Sequence, residues 1–575
     1  MALNEQVTDL TPNRARVILA LLMFFAFAPF MHAELFWDDF RVIRADGPIA
    51  HLSTISTAFT GRCVLFPPGV EYPYYRPFID ILFVLEYAIG GTSAFIYHLT
   101  NFLLHLANSM MLLALAMRIP SRAPNLVALF GTVLFALHPI QVESVLWAAA
   151  RPAVLSTFFC LIGLHCAAYV WRGNASPGRL MLAGIGATLG LLAGIFSKEV
   201  AILAVPAAAP MLVLRGSRPT RRAVALFAAT GLLVAVYLVL NRTGTSSGTE
   251  TLRLSGLPML AHQLCEFFGF YIAKLLVPHN LYPSYSLGAH QTTAFFALGL
   301  TALLGCAAAC VPALRVRNVR ACIFVSAMVL FVGGTLLAHL AGQALVADRY
   351  VYQALVGLAF VVVCGLGALL DRGKIHPPAL AKAAVLLLLI LTGRSLQQSF
   401  LWLTEEGMWR YVVSVEPANL KGATFVAVKE LERGNLEGGE KHLLAVVEAE
   451  SSGQLPPRFN SAKRLGQLYM QQERFAEAAR MFAFAAQFPP LTSSANAARL
   501  NAEWGAGNPE RAASVYATLA GVQNLNGWDC AEVARYLVRS NGDLTAAKSW
   551  YGRALERGFP GDPELAEKLG GPPAP

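Results

Sequence analysis

The chain has 575 residues, 55% hydrophobic and only 14% charged, with a mean hydropathy of +0.51; soluble domains carry about 25% charged residues, so most of this chain belongs in a lipid bilayer. The net charge of +10 reads as membrane topology, because Lys and Arg stay on the cytoplasmic side, and no basic stripe with interleaved aromatics marks a nucleic-acid groove. The nine cysteines show no CxxC spacing and lie mostly inside apolar runs, which argues against a zinc site or a disulfide framework.

A span needs about 20 apolar residues. The first run, 17–33, follows Arg14 and Arg16. It reads as an uncleaved span rather than a signal cut at Ala33, because many helices follow it. The aromatic, Pro-rich stretch 34–78 is too polar to cross, and it holds "LFWDDFRVI" with the adjacent acids Asp38 and Asp39. Further spans are predicted at 95–117, 126–146, 153–171, 180–197, 200–214, 223–240, 292–314, 321–340, 351–370 and 379–394. That makes eleven. Residues 261–281 lie within "CEFFGFYIAKLLVPHNLYPSYS" or beside it and are apolar enough to be a helix. Counting them as a span would place the Arg315–Arg320 cluster outside. They therefore read as a helix in the outer interface, or one that dips in and returns. Arg14/Arg16, Arg118/Arg122, Arg172/Arg179, Arg215–Arg222, Arg315–Arg320 and Arg372/Lys374 then share the cytoplasmic side. The N-terminus is inside, the C-terminus outside, and 34–94 is the first extracytoplasmic loop.

After about residue 400 the composition becomes that of a soluble, Ala/Glu/Arg-rich helical domain. "QQERFAEAARMF", "GAGNPERAASVY" and "RSNGDLTAAKSWY" align, with a weaker copy in "ERGNLEGGEKHLLAV". Ala478, Ala512 and Ala547 recur at a spacing of 34–35 residues, the period of the tetratricopeptide repeat. Small residues there let paired helices approach, and Phe475, Tyr516 and Tyr551 fill the seams. The expected fold is therefore all-α: a polytopic helical bundle over 1–399, then a short α-solenoid over 400–575 that offers a peptide- or protein-binding surface.

The candidate chemistry lies at span ends. Asp38 and Asp39 diverge as chain neighbours, so one faces a reaction as general base and the other binds backbone or orients a substrate; alternatively the pair merely caps a following helix. Arg76 in "YYRPF" shares their loop. "FALHPIQVES" ends its span with His138 and Glu143, which share a helical face only if Pro139 breaks the helix. "FSKEV" places Lys198 and Glu199, "FYIAKLL" places Lys274 near Tyr282 and Tyr285, and "ADRYVY" places Asp348, Arg349 and Tyr350. By the orientation above all of these lie at one face. Charges that converge at membrane edges are functional candidates. Arg and Lys suit the negative charge left on phosphate when a sugar–phosphate bond breaks. No Gly-rich phosphate loop is present, so a lipid-anchored donor fits better than a soluble nucleotide. The adjacent acids make a poor divalent cage, and neither a metal nor another cofactor is required.

The early "WDD", "YRPF…FIYHLTNFLLHLANSMML", "LFALHPIQVESV", "FSKEV", "DRYVY" and the repeat tail together resemble the transmembrane-and-tetratricopeptide-repeat (TMTC-type) O-mannosyltransferase-like proteins and their bacterial relatives, among the GT-C glycosyltransferases. The resemblance covers about residues 15–560. It implies a polyprenyl- or dolichyl-phosphate sugar donor, an acid at the position of Asp38 and Asp39, basic residues at Arg349 and Lys274 facing the lipid phosphate, a protein Ser/Thr or glycan acceptor, and inversion at the anomeric carbon. His138 and Glu143 match a motif of unassigned role. The tail is shorter than in eukaryotic members. The Ala- and Leu-rich composition leans bacterial, which implies an inner-membrane protein with a periplasmic tail; a eukaryotic member would sit in the endoplasmic reticulum membrane with a lumenal tail. Two other readings stand beside this one: an oligosaccharide ligase or polymerase using a lipid diphosphate, and a non-enzymatic scaffold whose tail binds a partner protein.

Overall fold

The computed structural model describes residues 9–59, 75–172, 176–204, 257–285, 292–316, 318–341, 346–417, 419–452, 461–488, 491–522 and 525–570, with 207 and 231 in isolation. The chain divides into two compact units, Met1–Met408 and Trp409–Pro575. Among the described residues both are built of helices.

Among the described residues, eight helices of the first unit are long and apolar enough to cross a membrane: Pro12–Phe30, Ala94–Ala116, Ala148–Val170, Pro177–Ser197, Thr293–Val316, Val319–Leu337, Ala354–Asp371 and Pro377–Leu401. The protein is thus a multi-pass membrane protein. Their lipid-facing sides carry exposed large apolar residues such as Leu21, Phe24, Phe25, Met181, Leu182, Leu386 and Leu389. In water such patches would drive association; in lipid they are the solvated surface. The expected span 126–146 is bent. Pro124–Ala136 and Pro139–Leu146 meet at 47°, because Pro139 lacks the amide hydrogen that would continue the first helix. The expected spans 200–214 and 223–240 fall almost wholly outside the described residues.

One element was not expected from the sequence, and another, expected as a helix, is found as one. The loop 34–94 contains a 14-residue helix, Pro77–Gly90, which buries Asp80 and Glu86 along with Ile79, Phe83 and Val84. The 261–281 stretch forms the 20-residue helix Leu257–Leu276, which is not among the helices apolar enough to span. It packs backbone to backbone on Thr293–Val316. A Cβ at Gly269 would overlap the Phe295 carbonyl, and one at Gly299 the Cys265 carbonyl, so only glycine permits this approach.

Three of the basic loops expected on one side do meet. The Arg122 amide donates to Asp371 Oδ1 at 3.0 Å, and Arg320 donates to Asp371 Oδ2 at 2.6 Å and to the Pro120 carbonyl.

The second unit is a run of short antiparallel helices from Leu420–Glu432 to Pro563–Lys568. Ala478, Ala512 and Ala547 are fully buried in its cores, and Phe475 packs on Gly505. The turns between paired helices carry residues with left-handed φ at Glu473 (59°), Gly507 (76°) and Asn541 (50°). These are 34 residues apart, so the period of the sequence is also a period of the backbone. A left-handed residue after a helix end lets the chain reverse while capping the last carbonyls.

Candidate active site

The acidic couplet sits on a short turn. Trp37 has φ 45°, a left-handed conformation that is costly for a bulky residue and persists only where surroundings enforce it. After it the two carboxylates part. Asp39 is fully buried; its Oδ2 accepts the Phe36 amide at 3.0 Å and its Oδ1 accepts the Ala149 amide at 2.7 Å. Burial pushes its carboxyl up to about 7, against the two amide donors and the Arg151 charge. Asp38 stands at the N-cap position of the one-turn helix Asp39–Val42 but makes no capping hydrogen bond. A third of its side chain is exposed, and it pairs loosely with Arg41 at 3.5 Å. Asp39 is therefore a brace between two loops, and Asp38 is the accessible acid.

Arg349 lies on the 3-10 turn Asp348–Val351. Its Nη1 donates to Glu143 Oε1 at 2.5 Å and to the Pro283 carbonyl at 3.1 Å, and its amide donates to Glu143 Oε2 at 2.9 Å. Glu143 reaches it because the Pro139 break turns Val142–Leu146 out of line with the preceding helix. The guanidinium also lies 4.8 Å from the Trp147 and Tyr350 ring centroids. The Trp147 indole stacks on Trp37 at 5.6 Å and 7°. Burial opposes the charge on Arg349, but Tyr350, Glu143 and Asp38 hold its pKa above the ordinary value. Asp38 and Arg349 are thus electrostatic neighbours, separated by 311 positions in sequence.

Lys198 follows the helix Pro177–Ser197 and is 9% exposed. Its ammonium lies 5.7 Å from the Tyr350 ring centroid and has no hydrogen bond or ion pair among the described residues. Burial pushes its pKa down to about 7; Glu199 and Glu143 oppose the shift, and Arg76 and Arg349 reinforce it. Arg76 in turn donates from Nη2 to both Glu199 carboxylate oxygens at 2.9 Å. Asp38, Arg76, Glu143, Lys198, Glu199, Arg349 and Tyr350 therefore form one electrostatically linked group drawn from five segments.

The other candidates have bonded partners of their own. Lys274 donates to the His279 and Asn280 carbonyls at 2.8 and 2.9 Å and covers the Tyr285 ring, closing the end of its own helix. Tyr285 donates to Asp348 Oδ1 at 2.8 Å and packs on Tyr282. Burial pushes the Asp348 carboxyl well above the usual range. His138 contacts the Leu275 carbonyl through Nε2 at 3.1 Å and accepts the Ile140 amide on Nδ1 at 3.2 Å, which repairs the Pro139 break.

Sequence reasoning did not single out several residues that hold the site. Trp37 and Trp147 form the aromatic floor described above. Arg151 is fully buried, ion-paired to Glu86, and donates to Asn101 Oδ1 at 2.7 Å and the Tyr97 carbonyl at 3.0 Å. His105 Nδ1 and Asn108 Nδ2 meet the Tyr352 hydroxyl at 2.7 and 3.1 Å. The available signal was the presence of Arg, His and Asn within apolar runs, where an ionisable or polar side chain must find a partner. Among the described residues no three His, Cys, Asp or Glu side chains are grouped to hold a metal ion.

No family model matches the chain. A protein O-mannosyl-transferase of Caenorhabditis elegans is 24% identical over 424 residues, 71% of this chain and 59% of the relative. The chain thus aligns with little more than half the length of that protein. Two crystal structures of ArnT from Cupriavidus metallidurans, one bound to undecaprenyl phosphate and one in the apo state, are 15% identical. Their TM-scores are 0.39 and 0.36; the alignments cover 83% and 72% of this chain and 81% and 80% of theirs. Over most of its length, then, the chain is similar in sequence to a protein O-mannosyl-transferase, the type of enzyme its motifs resemble.

Proposed function

We propose that the protein is a GT-C membrane glycosyltransferase that moves one hexose, mannose or a close relative, from a polyprenyl-phosphate carrier to a hydroxyl acceptor, a protein Ser or Thr in the first instance. Asp38 accepts the acceptor's proton. The acceptor oxygen attacks the anomeric carbon on the face opposite the phosphate, and the carbon–oxygen bond to phosphate breaks with its electron pair leaving on the phosphate oxygen. One inversion results, and the polyprenyl phosphate departs with an added negative charge. Arg349 and Lys198 meet that charge. Arg349 spends Nη1 on Glu143 and Pro283 but, among the described residues, keeps Nε and most of Nη2 for a ligand. Arg76 and Glu199 hold the flank. No metal is required for these steps.

The observation that carries this reading is the accessible acid Asp38, electrostatically linked to the partly buried Arg349, together with the buried Lys198, which has no hydrogen-bonded counter-ion among the described residues. A phosphodiester would supply the missing anion, and in a low-dielectric site that pairing is strongest where charge develops. Following the charge topology of the loops, the site opens on the extracytoplasmic side, and the second unit is a tetratricopeptide-repeat solenoid on that side that recruits or presents the acceptor. The test is transfer by purified full-length protein in nanodiscs, with a radiolabelled polyprenyl-phospho-hexose and an acceptor peptide library. Wild type is expected to label a hydroxyl residue and Asp38→Asn to fall to background. Equal labelling by the two would end the proposal.

A further inference from the structure

The residues just before Asp38 are clasped by the chain's segment 402–405. The Glu34 amide donates to the Leu403 carbonyl at 3.0 Å. The Glu405 amide, the first of the helix Glu405–Val415, donates to Glu34 Oε2 at 3.1 Å. The Glu405 carboxylate reaches back and accepts the Trp37 amide on Oε1 at 3.0 Å. Phe36 lies between them, its ring 4.8 Å from Trp402 and 5.8 Å from Trp147, and its carbonyl accepts the Trp147 indole N–H at 3.1 Å. The two ends of the first unit, 368 residues apart in sequence at Trp37 and Glu405, thus share a reciprocal pair of carboxylate–amide bonds.

These bonds fall at the residue with the strained backbone. Trp37 holds φ 45°, and such a conformation lasts only when its neighbours over-determine it. Its amide is fixed by Glu405, its ring by Trp147, and the next carboxylate but one by Ala149 and Phe36. Asp38 is the single side chain in 36–39 that none of these contacts immobilises, yet its Cα is set by all of them.

We infer that Glu405 is a positioning residue for Asp38: by accepting the Trp37 amide it keeps the turn left-handed, so that Asp38 faces Arg349 while Asp39 faces inward. This inference rests on the reading of Asp38 as the base.

The experiment uses full-length protein in nanodiscs. Glu405→Ala removes the acceptor; Glu405→Gln keeps an acceptor oxygen at the same reach; Glu405→Asp keeps charge and helix-start chemistry but withdraws the acceptor by about one methylene. A misplacement on that scale costs up to about a hundredfold in rate. The expected result is that kcat falls at least tenfold in Glu405→Ala and Glu405→Asp, with the donor KM within twofold of wild type, and that Glu405→Gln restores kcat. Hydrogen exchange over residues 34–40 should quicken in the Ala and Asp variants and stay slow in Gln. Wild-type kcat in Glu405→Asp, alongside an inactive Asp38→Asn, overturns the positioning role and leaves the base intact. An active Asp38→Asn defeats the functional reading instead, and the exchange result then decides the clasp alone. Unchanged exchange in both Ala and Asp overturns the clasp whatever the activity.

Discussion

The two members of the acidic couplet should separate cleanly when each is changed to asparagine. Asp39 takes one backbone N–H on each oxygen, from Phe36 and from Ala149. An asparagine there can offer one carbonyl oxygen, and its amide group then faces a backbone donor with nothing to accept. Leaving one buried donor unsatisfied costs about 1–3 kcal/mol, a large share of the stability of any domain. Among the described residues the Asp38 carboxylate makes no hydrogen bond; its pair with Arg41 is exposed, at 3.5 Å, and such pairs contribute at most about 1 kcal/mol. Its loss as a base removes roughly a hundred- to ten-thousandfold in rate. Asp39→Asn should therefore lower thermal stability, measured by fluorescence-detected gel filtration after a heating series, and retain transfer per folded molecule within about tenfold. Asp38→Asn should keep the wild-type melting profile and lose transfer. The reverse pattern, a stable and inactive Asp39→Asn with an active Asp38→Asn, would assign the base to the wrong carboxylate and refute the division of roles.

Arg349→Ala leaves Glu143 buried without its counter-charge, an outcome that costs about 3–5 kcal/mol in comparable pairs; Glu143→Gln on that background should recover folded yield in membranes but not transfer, and recovery of both would remove Arg349 from the chemistry. Lys198, pushed down to about 7 by burial, is charged below that value and neutral above it, whereas a phosphodiester keeps one charge throughout. Donor affinity should then weaken as pH rises from about 6 to 8.5, and Lys198→Arg, which does not titrate in this range, should flatten the profile; a flat wild-type profile would detach Lys198 from the phosphate. Tyr352→Phe strips His105 and Asn108 of a shared buried partner and should cost about 1–3 kcal/mol with kcat per folded molecule unchanged, read by the same heating series. Gly299→Leu should abolish folded protein at the detergent-extraction step, since a Cβ there overlaps the Cys265 carbonyl; normal yield would contradict the helix pairing.

The long apolar helices were legible because lipid requires every backbone group to be paired within its own segment, which imposes a length and a composition that a sequence displays directly. The bend at Pro139 was legible only as a condition: a missing amide hydrogen is written in the residue itself, but 126–146 reads as one span. The helix Pro77–Gly90 was not. It falls in the stretch 34–94 that reads as a loop, and the Arg151–Glu86 pair, with partners 65 residues apart, is what lets Glu86 lie inside. Lys274 is a different case. It is a cation in an aromatic outer segment, and nothing in its type or spacing says that its nearest acceptors are the carbonyls of His279 and Asn280. The divergence of Asp38 from Asp39 was predictable from chain geometry, but which one turns inward depends on the Ala149 amide, 110 positions away.

The site's polar residues fall into two classes on physical grounds, and the distinction narrows the chemistry. A charged side chain at the bilayer centre costs roughly 2.5–3.5 kcal/mol even on the lenient insertion scale, so the site is assembled where helices end. Helix ends, however, expose amides and carbonyls that lipid cannot satisfy. Side chains must do so, and most of them here are occupied in this way: Glu143 on the Arg349 amide, Asp39 on Ala149, His138 on Leu275, Ser395 on Leu137, Gln398 on Leu281, Lys274 on His279 and Asn280. A residue that satisfies a broken helix end cannot also take up a substrate without reopening that end. Once these are set aside, the group linked to Arg349 retains the Asp38 carboxylate, the Lys198 ammonium and the unspent edge of the Arg349 guanidinium. In the proposed mechanism these are the one general base and the two anion-holding cations that displacement at a phosphate-linked carbon requires, and they come from three segments that no local stretch of sequence joins.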